Sequence, residues 1–453
     1  MKLTFYGGAR AVTGANYLLE SGKTKILVDC GLNQGSSYAE AQNFEKFSYD
    51  SKDINALFIT HAHIDHTGRI PQLYKAGFKG MIYSTPPTKD FAELLLLDSE
   101  HILRMEAERK HKPPLYDIPD VIEAMKLWQK LPYHQKTIIG DFEVELYDAG
   151  HVLGSASIFV RSLKENKTIV FSGDLGNNPA PFINPTEYIE NVDYALVESV
   201  YGGRIHENLA NRKDILEDLI EETVKASGVL MIPSFALERT QELLFEINDL
   251  VENGRIPKVP IFVDSPLAIK LTAVYQKYST DAIYFNKLSL SLIKKGDAIF
   301  NFPGLKMTLT TEQSKEINGV ATPKIIIAGS GMSNAGRILH HEQRYLSDPK
   351  SAILFVGFQA KGSLGRQILD KENTVRILGE DVPVRCKVKA IGGYSAHGDQ
   401  PQLLKWVEAM RLSVKKVFVT QGEEEEATAL AQRIKDEMAA DAYIPKQGES
   451  VVL

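Results

Sequence analysis

The chain has 453 residues, 43% of them hydrophobic, and a formal net charge of −6. That length exceeds what one hydrophobic core usually serves, so two domains are expected, and the net acidity excludes a blanket basic surface that grips nucleic acid by charge alone. The two cysteines, Cys30 and Cys386, lie outside any paired metal-binding motif and no apolar run reaches membrane-spanning length, which excludes a disulfide scaffold and a helical membrane protein.

In chain order, the opening Met1-Lys2-Leu3-Thr4-Phe5-Tyr6 reads as a strand rather than an export signal, and a cytoplasmic location is expected. Short apolar strands are predicted at Lys25 to Asp29, Ala56 to Thr60, Gly80 to Ser84, Phe142 to Asp148, Ile169 to Ser172 and Tyr194 to Glu198. The longest predicted helix runs from about Thr88 to Lys112, with Phe91, Leu94, Leu95 and Ile102 on one face. Strands interleaved with amphipathic helices mean a layered α/β fold.

From about His206 the texture changes. Strands predicted at Gly228 to Pro233, Val259 to Asp264, Ile325 to Ala328 and Ala352 to Gly357 alternate with helices starting near Ala236, Leu267 and Gly336, the rhythm of a parallel sheet with its loops at strand C-termini. The first texture resumes near Val388. The second domain therefore reads as an insertion, residues 206–385, between the two parts of the first, residues 1–205 and 386–453.

The stretch His61-Ala62-His63-Ile64-Asp65-His66 places four metal-ligand side chains directly after a buried strand, in a chain with only eleven histidines. On extended backbone alternate side chains face the same way, so His61 and His63 can share one cation while Asp65 and His66 address a second. Imidazole suits zinc and a carboxylate can bridge two dications. Further ligands are needed from downstream. His151, flanked by Gly150 and Gly154, and Asp174, after Gly173, both follow strands on turns that glycine permits. The expected arrangement is His61, His63 and His151 on one Zn2+, Asp65 and His66 on the other, and Asp174 between them, with Asp29 as a hydrogen-bond acceptor behind a ligand histidine or a plain turn residue.

These pieces resemble the metallo-β-lactamase superfamily, which implies an αββα sandwich with metals at one edge of its two sheets. The ordered set Pro233-Ser234-Phe235-Ala236, Asp264-Ser265-Pro266-Leu267-Ala268, Gly329-Ser330-Gly331-Met332, Gly362-Ser363-Leu364-Gly365-Arg366 and Ser395-Ala396-His397 narrows the resemblance to its β-CASP branch. That branch includes the nuclease subunit of the pre-mRNA 3′-end cleavage factor and its prokaryotic relatives. The resemblance implies that Glu198 is the motif A acid and His397 the motif B histidine, Glu198 orienting His397 and His397 protonating the leaving oxygen. At the motif C position, where RNA-cleaving members carry histidine and DNA-directed members tend to carry valine, this chain has Gln421 in Gln421-Gly422-Glu423. A glutamine carbonyl is a poorer zinc donor than imidazole, so weak occupancy of the second site, or Mn2+ there, is expected.

The expected function is hydrolysis of single-stranded RNA, in RNA processing or decay, by a two-metal mechanism in which hydroxide attacks phosphorus. Endonucleolytic cleavage is expected, with 5′-to-3′ exonucleolysis as a companion mode and single-stranded DNA as an alternative substrate. Ser330, Arg337, Gly362, Ser363 and Arg366 are candidate phosphate contacts, since glycine admits close approach and arginine forks onto phosphate oxygens; each has a loop-building role as its alternative. Two other readings stand beside this one: a lactonase- or thioesterase-like ester hydrolase on the same metal core, and a non-catalytic RNA-processing subunit. A homodimer is left open, and no membrane partner is expected.

Overall fold

A computed structural model of the chain describes residues 1–35, 37–109, 111–206 and 211–453. It divides into two compact units, Met1–Ile205 with His397–Leu453, and His206–Ala396.

Among the described residues the first unit holds two seven-stranded sheets. One runs Ser450–Val452, Lys2–Gly7, Asn16–Ser21, Thr24–Val28, Ala56–Phe58, Met81–Ser84, Trp128–Lys130 from edge to edge. The other runs Ala442–Tyr443, Lys416–Thr420, Tyr194–Glu198, Lys167–Phe171, Ala156–Ser162, Phe142–Asp148, Thr137–Ile139. The two-residue period of the strands decides how they stack. Leu3, Phe5, Tyr17, Leu19, Ile26, Val28 and Phe58 of the first sheet share one core with Phe142, Val144, Leu146, Ile158, Val160 and Phe171 of the second. Each fully buried phenylalanine there contributes about 1.5–3 kcal/mol over an exposed one. Val170, Val197, Val417 and Val419 point the other way, onto Leu403, Trp406 and Val407 of helix Gln400–Glu408 and Leu430 and Ile434 of helix Glu424–Met438. On the outer face of the first sheet Leu27, Leu57 and Ile82 are also buried, and helices Ile70–Lys75, Pro86–Arg109 and Ile118–Lys126 bury Leu73, Phe91, Leu96 and Val121. This is the expected αββα order.

The long helix buries Phe91, Ala92, Leu95, Leu96, Ser99 and Glu100, whereas Ile102, expected on that face, is 51% exposed. The helix ends at Arg109, and residue 110, within the expected span, lies outside the described residues.

The insert has a six-stranded sheet in the order Leu305–Met307, Ile261–Asp264, Lys324–Ala328, Val229–Pro233, Ala352–Phe355, Lys387–Ala390, with all neighbouring pairs parallel. The last strand departs from the expected boundary at residue 386. Its register, Ala352↔Lys387 to Phe355↔Ala390, closes the edge of the insert's sheet, so the chain rejoins the first unit only at His397. No helix among the described residues is long and apolar enough to cross a membrane.

Candidate metal centre

Parallel register brings the chemistry to one rim of the first unit. Val28 pairs with Phe58, Phe171 with Leu196, and Glu198 with Thr420, so Asp29, His61, Asp174, Glu198 and Gln421 all leave their strands at C-terminal ends. Strand Ala56–Phe58 gives way to a short loop that ends at His63, the N-cap residue of helix Ile64–Thr67. Thr67 Oγ1 donates to the carbonyls of Ala62 at 3.1 Å and His63 at 3.0 Å, which pins the loop. At the second ligand turn Gly173 sits at φ +58, and a methyl there would stand 2.7 Å from Thr60 Cβ, so only glycine lets Asp174 approach.

The structure brings His61, His63, His151 and Asp174 together, with one donor atom from each inside a 4.8 Å cluster. His61 Nε2 lies 3.0 Å from His63 Nδ1, His151 Nε2 lies 3.3 Å from His63 Nδ1, and Asp174 Oδ2 lies 3.4 Å from His61 Nε2 and 3.7 Å from His151 Nε2. Donors bonded to a tetrahedral zinc at 2.0–2.2 Å stand about 3.3–3.6 Å apart, so this cage fits such an ion. The other oxygen of Asp174 faces a second set: Oδ1 is 3.4 Å from His66 Nε2, and His66 Nε2 is 3.8 Å from Asp65 Oδ2. Gln421, buried, adjoins that set. Its Nε2 donates to Asp174 Oδ1 at 2.9 Å and stands 3.0 Å from His66 Nε2.

Behind this second set, Asp29 Oδ2 lies 2.8 Å from His66 Nδ1. The Asp29 carboxylate also accepts the Thr60 amide proton and the Thr60 hydroxyl proton, each at 2.8 Å. Both oxygens are thereby aimed, and His66 is turned so that Nε2 faces Asp174. Burial, with His66 beside it, drives the pKa of His61 well below the ordinary histidine value. Burial would lower His66 too, yet Asp174, then Asp29 and Asp65, raise it well above. Asp174 is held well below the usual carboxylate range by His66 and His61 against burial, while burial raises Asp65. Several carboxylates thus converge with neutral imidazole at one end, a donor set that calls for cations.

Glu198 and His397 meet beside this cage. Burial disfavours the imidazolium of His397, but Glu198 Oε1 at 3.1 Å from Nδ1, and then Asp174, raise its pKa to about 9. Glu198 is fixed in turn: it accepts from the Leu175 amide at 2.7 Å and the Val200 amide at 3.2 Å, and its own amide donates to Ser172 Oγ at 3.0 Å. An isolated bridge to Gly176 fixes the backbone of His397.

The candidate phosphate residues belong to the insert, where Ser330, Arg337, Ser363 and Arg366 each have a local partner. Arg337 Nη1 donates to Asp264 Oδ1 at 2.7 Å and to the Thr308 carbonyl at 3.1 Å, and Nη2 donates to the Leu309 carbonyl at 3.1 Å. Arg366 Nε donates to Asp370 at 2.8 Å. Ser363 caps helix Leu364–Leu369 by accepting from the Arg366 amide, Ser330 Oγ accepts from the amides of Asn334 and Ala335, and Gly362 sits at φ +88 in open space. Asp264 is the hub of this region. Fully buried, it receives His341 Nε2 at 2.8 Å, Ser314 Oγ at 2.6 Å, Thr308 Oγ1 at 2.7 Å and Arg337, and these hydrogen bonds hold its pKa well below the carboxylate range despite burial. Asp264→Ala leaves Arg337 and His341 without their anion and is expected to destabilise the protein by about 3–5 kcal/mol in urea titration; a change below about 1 kcal/mol would contradict the hub.

Sequence reasoning passes over Thr60, Ser155 and Ser172. Thr60 anchors Asp29, Ser155 Oγ accepts the amides of His151 at 3.0 Å and Val152 at 3.2 Å, and Ser172 Oγ accepts the Glu198 amide. Their one sequence signal is a hydroxyl within a few residues of a ligand at a strand end.

Three family descriptions match along the chain: metallo-beta-lactamase superfamily over residues 10–219, Beta-Casp domain over 240–368, and Zn-dependent metallo-hydrolase RNA specificity domain over 381–445. Ribonuclease TTHA0252 of Thermus thermophilus is 36% identical over 432 residues, 95% of each chain. Transcription termination factor FttA of Methanosarcina mazei is 29% identical over 450 residues, covering 96% of this chain and 69% of its own. A crystal structure of a protein of unknown function from Enterococcus faecalis V583 shares the fold with a TM-score of 0.55 at 14% identity, covering 100% of this chain and 99% of that one. The chain belongs to the metallo-β-lactamase superfamily, in the branch whose members carry an inserted β-CASP domain.

Proposed function

We propose that this chain is a metal-dependent nuclease that hydrolyses phosphodiester bonds of single-stranded RNA, with two Zn2+ ions in the paired cages around Asp174. One observation carries the reading: the carboxylate that faces both histidine sets also stands 3.9 Å from His397 Nδ1, so a proton donor adjoins the cation site. When bound, such a cation pair supplies a hydrolytic water of lowered pKa and stabilises charge growing on the phosphoryl oxygens. The rest falls to the protein. Glu198 accepts a hydrogen bond from His397 Nδ1–H and so stabilises the imidazolium, which leaves the Nε2 proton free to pass to the departing oxygen. With a pKa near 9, His397 is charged at neutral pH and serves as the acid. His61, His63, His151 and Asp174 would hold one cation, and His66 and Asp65, beside the other Asp174 oxygen, would hold a second. A ribonuclease among the relatives supports RNA as the substrate class.

The direct test incubates the protein with end-labelled RNA and single-stranded DNA, and separately with a panel of acyl esters, each with and without chelator, and reads nucleic-acid product termini and ester turnover. Chelator-sensitive cleavage leaving 5′-phosphate and 3′-hydroxyl ends supports the reading. Hydrolysis of acyl esters with intact RNA would replace it with the ester-hydrolase reading, and inertness toward both substrate types with the non-catalytic one.

Gln421 sets a second expectation. It stands where an imidazole would complete the His66 and Asp65 set, with its Oε1 turned toward Tyr17 Oη at 3.4 Å. Metal-stripped protein is expected to refill in two stages, and Gln421→His to tighten the weaker stage by about tenfold to a hundredfold in chelator competition. Two stages of equal tightness in the natural chain would contradict this.

A further inference from the structure

The C-terminal crest of the insert's sheet carries two exposed aromatic rings, Phe235 at 42% and Phe358 at 58% exposure. Scattered exposed apolar side chains are ordinary, so exposure alone argues nothing. The way Phe235 is held does. Its residue follows strand Val229–Pro233, and its carbonyl accepts from Thr240 Oγ1 at 2.7 Å and Ser234 Oγ at 3.2 Å, which fixes the backbone. Its ring lies against two glycines from neighbouring strand ends. A methyl at Gly331 would stand 2.6 Å from Phe235 Cδ2, and one at Gly357 would stand 3.6 Å from Cε2.

The buried amide of Gln359 ties those same glycines together: its Nε2 donates to the carbonyls of Gly331 and Gly357, each at 3.0 Å. Gly365 leaves the room this amide needs, since a methyl there would lie 1.9 Å from Gln359 Oε1. Loops following strands Val229–Pro233, Lys324–Ala328 and Ala352–Phe355 therefore build one support beneath the ring, and Phe358 follows Gly357 directly. Glycine and glutamine are spent here on seating an aromatic side chain that stays partly in water. The loops that carry those two glycines also carry the exposed Asn334 and Lys361, hydrogen-bonding and cationic groups suited to a nucleotide's base and phosphate.

We propose that Phe235, seated on Gly331 and Gly357, is a stacking platform for a base of the single-stranded RNA substrate, with Phe358 as its second ring. This rests on the nuclease reading and adds a binding subsite to it. Stacking needs only a base's π-face, so the platform binds without sequence preference.

The test measures binding of fluorescent oligouridylate, and of an abasic ribose-phosphate oligomer of equal length, to the full chain in chelator, together with cleavage by the metal-loaded protein. Phe235→Ala is expected to weaken oligouridylate binding about tenfold, to raise KM more than it lowers kcat, and to leave abasic-oligomer binding within twofold. Phe235→Trp is expected to retain affinity, and its tryptophan emission to be quenched on RNA binding relative to the natural chain, whose Trp128 and Trp406 are buried out of reach of a stacked base. Unchanged oligouridylate affinity in Phe235→Ala, an equal loss on the abasic oligomer, or an unquenched Phe235→Trp each overturns the platform. If the natural chain cleaves RNA in that same experiment, the platform fails alone; if it neither cleaves nor binds RNA, the nuclease reading falls with it.

Discussion

Replacing His397 with alanine is expected to lower single-stranded RNA cleavage about 10²- to 10⁴-fold while bound metal stays at the level of the natural chain. The separation follows from position: His397 Nδ1 pairs with Glu198 at 3.1 Å and lies 3.9 Å from Asp174, and the cluster of His61, His63, His151 and Asp174 keeps all four members when His397 is replaced. The pH profile sharpens the test. Glu198 and Asp174 raise the pKa of His397 to about 9 against the opposing pull of burial, so the acid is present below that pH and lost above it. The rate should therefore hold through neutral pH and fall as pH rises through about 9. Glu198→Gln keeps the shape of the pair and removes its charge, and is expected to move the fall down by roughly 1–3 pH units. A merely structural Glu198 would reduce the rate at every pH without moving the limb. Loss of metal in His397→Ala, or an unmoved limb in Glu198→Gln, would remove His397 from the acid's role.

What could be read in advance followed the scale of the interaction. His61, His63, Asp65 and His66 lie within one loop, so their chemistry is written in adjacent letters, and His151 and Asp174 each follow a strand on a glycine turn. Strand register then brought them within 3.8 Å of their neighbours in the cage, as the layered α/β pattern required. Glu198 and His397 are 199 positions apart, and no local pattern joins them; only the family motifs did. Thr60 and Ser172 were illegible for a different reason. A hydroxyl at a strand end is common, and its partner is chosen by which strand lies alongside, a fact of pairing rather than of sequence. Strand Lys387–Ala390 escaped similarly, because a short edge strand carrying Lys387 and Lys389 has no apolar signature to assign it to one sheet. Ile102 shows the limit of periodicity, which marks a stripe along a helix but not how far its neighbours cover it.

The largest effect belongs to Asp174. Its Oδ2 serves His61 and His151 and its Oδ1 serves His66 and Gln421, so one carboxylate is common to both cages and to the pair that holds the acid. Asp174→Asn retains the volume and one hydrogen-bonding oxygen but removes the charge that a bound cation would need. Metal content is expected to fall, and RNA cleavage to drop by roughly 10³-fold or more, since several kcal/mol of charge stabilisation at 1.36 kcal/mol per decade disappear together. The metal-free fold should change in a definite direction as well. Asp174 has a depressed pKa, so its contribution to stability is present above the unfolded carboxylate value and is lost as pH falls through the folded one. Metal-stripped Asp174→Asn should thus be less stable than the natural chain at neutral pH, with the gap closing on acidification, as urea midpoints across pH would show. Retained metal with lost cleavage would confine Asp174 to positioning His397, and retained cleavage would take it out of the centre altogether.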